Sequence, residues 1–313
     1  MNRSGSKTRP RAAAKATPQP GRSGIQPQTV SPRWIAAAFV LVLVAASLCV
    51  WAALCLTFWQ GSWQLLYHPK TEIVQTPASA GLAFASIDFA TTEAGQPLLH
   101  GWWIPGPAGS RFNAIYFHGA DGNIGDAVPS LQPLHDAGLS LLVFDYRGYG
   151  KSQFARPSEA HWHEDAESAI RYLTNTHHVS SGSIVLVGSG LGANLALEEA
   201  AAHPELAGVV IEDPSPSAED AVFHDPRARL VPAHLLVRDR WDLPVAAASV
   251  HIPSLWFETP LPSAPLNSVE NKAYEAVSAR KARVWLPDSP GRSKDYAGAV
   301  SRWLGDLEVN ARL

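Results

Sequence analysis

Cysteine is nearly absent from this chain of 313 residues. The two that occur, Cys49 and Cys55, lie in one apolar run near the N-terminus. The rest of the chain therefore contains neither a disulfide nor a thiol nucleophile, and cysteine use does not indicate a redox compartment.

Acidic residues are missing from the first 60 residues, which carry seven basic ones. Removing these seven from the 25 basic residues leaves 18 against 28 acidic ones, a net charge of −10 for the remainder. A folded part this acidic, without a Lys or Arg stripe, argues against a nucleic-acid partner.

Charged residues are also missing from residues 34–59, "WIAAAFVLVLVAASLCVWAALCLTFW". A helix of this length spans roughly 39 Å at about 1.5 Å per residue, enough to cross a hydrocarbon core of about 30 Å with some tilt. Tryptophans at both ends suit the two interfaces. A cleaved signal peptide is the alternative, but the run exceeds the usual length of about 7–15 residues and no small-x-small cleavage site follows. We therefore predict an uncleaved membrane anchor.

The N-terminal tail, residues 1–33, is rich in Pro, Ser, Gly and basic residues and almost free of apolar ones. Such a segment cannot bury enough surface to fold, so we predict a disordered basic tail. Its positive charge places it in the cytoplasm, with the globular part across the membrane, in the periplasm if the source is a bacterium. Residues 60–80 are then a connector to a domain formed by residues 81–313.

The globular part predicts an α/β fold. Its later strand-like runs are short, wholly apolar and separated by helical patterns, as in a buried parallel sheet, whereas the early runs lie close together, like an antiparallel edge. Residues 215–251 are long and Pro-rich for a connection between strands, which favours a cap or lid over a pocket. The eight predicted strands are residues 84–90, 98–104, 112–117, 139–145, 183–188, 208–212, 254–258 and 282–286.

Three motifs in register carry a family resemblance. These are "YFHGADGNIGD" at 116–126, "LLVFDYRGYGKSQ" at 141–153 and "SIVLVGSGLGANLALEEA" at 183–200. Together they resemble the α/β-hydrolase superfamily, in particular its bacterial membrane-anchored lipase or serine-aminopeptidase-like members, over residues 65–307. The resemblance implies a mostly parallel eight-stranded sheet with helices on both faces, preceded here by one transmembrane helix.

The catalytic triad of such a fold is degenerate in this sequence. A serine is expected at the centre of a Gly-x-Ser-x-Gly turn, but the matching residues, 188–192, put Gly190 there. Ser189 precedes the centre and, still leaving a strand, is expected to face elsewhere, so it is a weak alternative nucleophile. The resemblance places the acid near Pro262 and the histidine at Gly291 or Arg292, and no histidine follows His251.

The main-chain donors of an oxyanion hole do not depend on the triad. The resemblance puts these donors at Ala120, which follows Gly119 on the oxyanion turn, and at Leu191, with His118 of the same turn lining the pocket. Such a pocket would hold an acyl or anionic ligand. "HWHEDAE" at 161–167 resembles a metal motif whose last histidine is replaced by Ala166, and we predict no metal site there and no cofactor.

Two functions follow from this pattern. The first is a membrane-anchored pseudoenzyme that has lost serine-hydrolase activity and binds a ligand or another envelope protein. The second is a serine hydrolase of esters or other acyl substrates with a rearranged site, using Ser189 or a loop serine and a distant histidine. A structural membrane module with a filled pocket is a third possibility.

Overall fold

The computed structural model describes residues 31–91, 95–215, 217–259, 269–286, 289 and 291–310. The chain divides into two units, Met1–Val50 and Trp51–Leu313. A single helix, α1 (Pro32–Gly61), contains the uncharged run, and no residue of its most apolar 18-residue window is buried. It is long and apolar enough to cross a membrane.

The domain is built on one sheet, which has eight strands in the described residues, each within one residue of its predicted bounds. The strands are β1 (Ala85–Thr91), β2 (Pro97–Ile104), β3 (Phe112–Phe117), β4 (Leu139–Phe144), β5 (Ile184–Ser189), β6 (Gly208–Glu212), β7 (Ser254–Glu258) and β8 (Lys281–Trp285). Their order in the sheet is β1-β2-β4-β3-β5-β6-β7-β8. The antiparallel pairs are β1 with β2 and β2 with β4, and all the others are parallel, so the predicted antiparallel edge and parallel body are confirmed.

Helices cover both faces of the sheet, as predicted. On one face, α3 (Glu159–Arg171) and α4 (Leu191–Ala202) contribute Trp162 and Ala196 to a core cluster. On the other, α2 (Val128–Asp136) and α9 (Arg292–Asn310) contribute Leu131 and Trp303. The central strands are buried from both sides, which is why their sequences are continuously apolar.

The long connection between β6 and β7 forms short helices rather than an extended loop. They are α5 (Ala218–Phe223), a 3₁₀ turn (Pro226–Arg229), α6 (Ala233–Leu236) and α7 (Leu243–Ala248). Trp241, just before α7, is fully buried and donates its indole N–H to the hydroxyl of Tyr67. The last helix before β8 is α8 (Val269–Ala276).

The connector after α1 is folded onto the domain. A 3₁₀ turn (Ser62–Leu65) continues directly from the helix, and the buried Tyr67 donates its hydroxyl to Asp239 at 2.9 Å. His68–Pro69 then pairs in parallel with Asp121–Gly122, beside the turn that follows β3. The chain therefore leaves the helix without a free linker.

Candidate functional site

The turn between β5 and α4 has the backbone shape of a nucleophile elbow. Gly190, at its apex, has φ +57° and ψ −125°, and its N–H donates to the carbonyl of Glu212. A Cβ at Gly188 would lie 2.1 Å from the carbonyl oxygen of Gly192, and one at Gly192 would lie 2.2 Å from that of Phe117. Only glycine fits at these two positions, so the crowded packing of the elbow is retained.

The apex itself has room for a side chain. A Cβ at Gly190 would meet nothing closer than the Cα of Gly119 and the Oγ of Ser215, both at 3.8 Å. The predicted oxyanion turn therefore lies next to the nucleophile position, and Leu191 begins α4 immediately beyond it. The carbonyl of Ala120 accepts hydrogen bonds from the N–H of His68 and the hydroxyl of Tyr149, which hold this turn in place.

His118 does not line the pocket, contrary to expectation, because its side chain lies beneath the turn and is 3% exposed. Its Nδ1 bonds to the carbonyl of Gly119 at 2.8 Å, and its ring packs 4.5 Å from that of Tyr146. Burial lowers the pKa of His118 to about 4, so the ring is neutral near pH 7. It therefore belongs to the core.

A buried carboxyl faces His118 from the end of β4. The Oδ1 of Asp145 accepts the N–H of Ile124 at 2.8 Å and lies 3.7 Å from the Nε2 of His118, which has no hydrogen-bond partner within the described residues. Burial raises the pKa of Asp145 to about 7. No serine hydroxyl in the described part of the chain hydrogen-bonds His118, so this pair lacks a nucleophile.

Ser189 borders a cleft on the side of α2 and α9. This cleft, of about 300 Å³, lies between α2 and α9 and is bordered by Ser189, Glu212, Asp213, Arg292 and Tyr296, among others. The hydroxyl of Tyr296 donates to Glu212, and burial raises the pKa of that carboxyl to about 7. None of the residues that border this cleft is a histidine, so no imidazole accompanies the Ser189 hydroxyl there.

An arginine stands where the family's histidine is expected. Arg292 begins α9, donates to the carbonyl of Leu286 at 2.6 Å and places its Nη2 3.5 Å from the Oδ2 of Asp213. Asp213 follows β6 and also accepts the N–H and hydroxyl of Thr259. The carbonyl of the neighbouring Gly291 accepts the N–H groups of Lys294 and Asp295 in the first turn of α9, and Pro262 lies outside the described residues.

Glu258, the carboxyl at the end of β7, lies in an ion pair. Glu258 is buried, and its Oε1 lies 3.3 Å from the Nε of Arg283 on the neighbouring strand β8. Burial raises the pKa of Glu258, in spite of this guanidinium. Glu258 therefore faces an arginine rather than a histidine.

Ser215 is a site residue that the sequence did not reveal. Its N–H donates to the Oδ1 of Asn194 at 3.1 Å and to the carbonyl of Gly190, while the Nδ2 of Asn194 donates back to its carbonyl. Asn194 is fully buried on α4. This reciprocal pair holds the Ser215 hydroxyl beside the elbow, although Ser215 follows Gly190 by 25 residues.

A Ser-His-Asp arrangement lies at one edge of the sheet, on strands β1 and β2. The Oγ of Ser86 is 3.3 Å from the Nε2 of His100, whose Nδ1 is 2.7 Å from the Oδ1 of Asp88. Asp88 and His100 face each other across the antiparallel β1–β2 pair. A cross-strand pair of this kind stabilises a hairpin. The trio is separated from the elbow by β4 and β3.

Histidines and glutamates also line the contact between α3 and α4. His163 contacts Glu199 through Nδ1 at 2.6 Å and Glu198 through Nε2 at 2.7 Å, and His203 contacts Glu167 at 2.7 Å. Burial lowers the pKa of His163, but the two glutamates outweigh it and raise the pKa to about 10. Among the residues that the structure describes, two groups have ligand atoms close enough to hold a metal ion: Glu159, His163 and Glu198, and Glu167, Glu199 and His203. The absence of a metal remains a prediction.

Known proteins resemble this chain in sequence over most of the domain. A family model described as serine aminopeptidase, S33, matches residues 110–243. The uncharacterized protein Rv2307c of Mycobacterium tuberculosis is 32% identical over 219 residues, which cover 69% of this chain and 75% of that protein. The uncharacterized membrane protein YNL320W of Saccharomyces cerevisiae is 30% identical over 142 residues, 45% of this chain and 49% of that protein.

Solved structures share the fold at low identity. An esterase of Pyrococcus furiosus superposes with a TM-score of 0.56 at 17% identity, covering 77% of this chain and 98% of the esterase. A bacterial membrane phospholipase A, described as a virulence factor, superposes with a TM-score of 0.53 at 15% identity, covering 89% of this chain and 99% of that structure. With the strand order, the elbow and the sequence relatives, these neighbours establish that the chain belongs to the α/β-hydrolase superfamily, among proteins similar to the S33 serine aminopeptidases.

Proposed function

We propose that this protein is a membrane-anchored pseudoenzyme of the α/β-hydrolase superfamily. In this proposal it has lost serine-hydrolase activity and binds an acyl or anionic ligand, or another envelope protein, at the elbow. The observation that carries the proposal is Gly190, which stands at the apex of an otherwise intact elbow. Without a hydroxyl or thiol at this point, no acyl-enzyme can form by the family's mechanism.

The residues around the missing nucleophile support the proposal. A triad needs an imidazole that accepts the serine proton, but Arg292 offers only donors and remains protonated in proteins. His118, the buried imidazole below the turn, bonds to a backbone carbonyl and contacts no serine within the described residues. Neither Arg292 nor His118 is therefore available as a general base for a hydroxyl at the elbow.

What the site retains suits binding of an oxygen-rich group. The Gly119–Ala120 turn, the start of α4 and the Ser215 hydroxyl surround one point beside Gly190. Main-chain donors at a helix N-terminus favour a carbonyl, carboxylate or phosphate oxygen. In a serine hydrolase stripped of its triad, such groups still give a rate roughly 10³–10⁴ over water, after a loss of about 10⁶.

The membrane part of the proposal rests on α1. The helix anchors the chain in a membrane, the basic tail stays in the cytoplasm and the domain lies on the opposite side. The description of the yeast relative as a membrane protein supports a membrane location. The complete absence of acidic residues before the helix supports this orientation.

The alternative, a hydrolase with a rearranged site, is favoured by one observation. The Oγ of Ser215 lies only 3.8 Å from the point where a Cβ of residue 190 would stand. A loop serine thus approaches the position of the lost nucleophile. Its weakness is the lack of a base, because the hydrogen bonds described for Ser215 involve Asn194 and Gly190 and no histidine.

A fluorophosphonate probe on the purified full chain in detergent separates the two functions. We expect no labelling and no hydrolysis of short acyl esters. The variants Ser215→Ala, Ser189→Ala and Ser86→Ala are run in parallel, with an active serine hydrolase as the positive control. Labelling that one of these substitutions abolishes would establish the alternative and overturn the pseudoenzyme.

Ligand binding is measured separately with octanoate as the probe, by saturation-transfer NMR on the full chain. We expect binding that Ser215→Ala weakens several-fold, whereas Ser86→Ala, at the far side of the sheet, leaves it unchanged. Equal binding by both variants would show that octanoate does not occupy the elbow.

A further inference from the structure

The connection between β6 and β7 is in direct contact with the end of α1. The indole N–H of Trp51 donates to the carbonyl of Leu230 at 3.2 Å. Leu54, Thr57 and Phe58, on the following turns of the helix, border a small cavity of about 90 Å³ together with Arg227, Leu230 and Val231. We call residues 223–240 the cap tip, and this segment therefore runs along the last turns of the apolar helix.

The hydrogen bond fixes the depth of the cap tip relative to the helix. Trp51 precedes Trp59, the last residue of the apolar run, by eight positions, which is roughly 12 Å along a helix. Tryptophan at the end of such a run sits at the level of the lipid headgroups. If α1 crosses a membrane, as proposed above, Leu230 lies at or below the headgroup level of the same leaflet.

The side chains of the cap tip suit that depth. Leu230 is 63% exposed, Leu235 is 74% exposed and Phe223 is 44% exposed. Three large apolar side chains within 13 residues form an apolar surface that is unfavourable in water and favourable in the acyl region of a bilayer. The Trp51 contact joins this segment to the last turns of α1, where Trp51, Leu54 and Leu56 are also exposed.

The charge of the cap tip contrasts with that of the domain. Four arginines, at positions 227, 229, 238 and 240, and two aspartates, at 225 and 239, give this segment a net charge of +2, whereas residues 61–313 together carry −10. The aspartates are engaged, since Asp225 pairs with Arg227 and Asp239 accepts the hydroxyl of Tyr67. Basic residues beside an apolar surface are the pattern that binds anionic lipids.

A groove beside the cap tip adds a defined site for a headgroup. It measures about 210 Å³ and is lined by two tryptophans, Trp59 and Trp63, and two arginines, Arg156 and Arg238, with Asp239 also at its wall. The guanidinium of Arg238 lies 5.2 Å from the Trp59 ring, and that of Arg156 lies 5.7 Å from the Trp63 ring. Guanidinium groups bind phosphate through paired N–H donors, so the groove offers two such groups at the interface.

We propose that the cap tip lies in the membrane interface and that the groove between Trp59, Trp63, Arg156 and Arg238 binds the phosphate of an anionic phospholipid. The connection between β6 and β7 is then a membrane-docking surface rather than a lid that swings over the elbow. This inference rests on the proposed anchoring by α1 and is independent of whether the elbow is catalytic.

The depth of the cap tip is measured on the full chain in nanodiscs of phosphatidylcholine with about one-third phosphatidylglycerol, a mixture with a negative surface potential. Cys49 and Cys55 are replaced by alanine, and one cysteine carrying an environment-sensitive fluorophore is introduced as Leu235→Cys. Val309→Cys, an exposed position on α9, is the matched control. We expect lipid-attached quenchers to quench the label at position 235 several-fold more than the label at position 309.

Two results would overturn the docking surface. Equal quenching at both positions would place the cap tip in water. Protection of the label at 235 from aqueous iodide, without quenching by lipid, would show that a second copy or another protein covers the surface. Flotation of the same full chain with vesicles tests the anchor itself, so a failure of the anchor and a failure of the cap tip are distinguished.

The headgroup site is tested by lipid composition. In the wild-type chain, replacing phosphatidylglycerol by phosphatidylcholine is expected to reduce the quenching at position 235, and Arg156→Gln with Arg238→Gln is expected to abolish that dependence on lipid charge. Arg111→Gln, which removes an exposed arginine paired with Glu308, is the control and is expected to retain the dependence of quenching on lipid charge. An unchanged dependence in the double variant would refute the proposed phosphate site.

Discussion

The Nη2 of Arg292 lies 3.5 Å from the Oδ2 of Asp213, so an ion pair includes one of the two residues at which the family resemblance predicts the histidine. Asp213 also accepts two hydrogen bonds from Thr259, and Arg292 donates to the carbonyl of Leu286. The pair therefore connects the ends of β6 and β7 with the start of α9. It stabilises the rim of the site and supplies no imidazole to a neighbouring hydroxyl.

Restoring the serine alone is expected to leave the elbow inactive. Gly190→Ser places a hydroxyl at the apex, where a side chain fits, but Arg292 cannot accept its proton. We expect fluorophosphonate labelling no higher than that of Gly190→Ala, measured on both purified variants. Strong labelling of the serine variant would reveal a general base that Arg292 and His118 do not provide.

The three glycines of the elbow are expected to differ in their tolerance of alanine. At Gly190 the substitution is strained only by its positive φ, so we expect a loss of about 1–2 kcal/mol in the free energy of unfolding. At Gly188 and Gly192 a Cβ would collide with backbone atoms, and we expect a loss above about 4 kcal/mol or failure to fold. Thermal unfolding in detergent gives the order of the losses in stability. Gly182→Ala is the control, because a Cβ at that position would meet no other atom within 4 Å. Equal losses at 188 and 190 would contradict the crowded elbow.

Asp145 and His118 are expected to produce opposite pH dependences. Folded Asp145 keeps its proton up to about pH 7, whereas an unfolded aspartate loses it near pH 3.9, so its contribution to stability decreases as the pH rises between these values. Folded His118 resists protonation down to about pH 4, whereas unfolded histidine is protonated below about 6.5, so its contribution decreases as the pH falls through that interval.

Replacing Asp145 is therefore expected to reveal the pH dependence of stability that His118 contributes. Asp145→Asn keeps an acceptor for the N–H of Ile124 and leaves the His118 effect uncompensated. We expect its free energy of unfolding, followed through the Tm, to fall more steeply than that of the wild type between pH 6.5 and 4, by up to about 1 kcal/mol per pH unit. Asp136→Asn, an exposed carboxylate, is the control. Parallel pH profiles for Asp145→Asn and the wild type would contradict the buried, protonated carboxyl.

The contact between α3 and α4 is expected to weaken at high pH. The pKa of His163 is raised to about 10 in the folded chain, so its contribution is fully present below the unfolded value near 6.5 and is lost as the pH rises toward 10. We expect His163→Gln to lower the Tm at pH 7 and to reduce the decline in Tm between pH 7 and 10. A decline as steep as that of the wild type would show that another group controls it.

Chelation is expected to leave the same contact intact. Both nitrogens of His163 already contact carboxylates at 2.6 and 2.7 Å, which accounts for its hydrogen bonds without an ion. We expect EDTA to leave the Tm of the purified chain unchanged at neutral pH. A fall in Tm that added Zn²⁺ reverses would show a resident metal held by the His163 and His203 groups.

The sheet and the elbow were predictable because their signals are local. Each strand is a short apolar run, and the motif around Gly190 has three glycines at fixed spacing. The position of Ser215 was not predictable from the sequence, because it depends on a hydrogen bond to Asn194, 21 residues earlier on another element. The burial of His118 depends likewise on aromatic rings from α3 and from the segment after β4, and the contact of His163 with Glu199 spans 36 residues.

The direct passage from α1 into the domain has a mechanical consequence. Because α1 ends at Gly61, a 3₁₀ turn follows at once and Tyr67 is already buried, no flexible tether separates the end of the helix from the folded domain. A long flexible linker would let such a domain reach molecules far from the end of the helix, at a low effective concentration. This chain has no such linker between residues 61 and 67, so, if α1 is the membrane anchor proposed above, the encounters of the domain are restricted to molecules that lie at or arrive at that membrane surface.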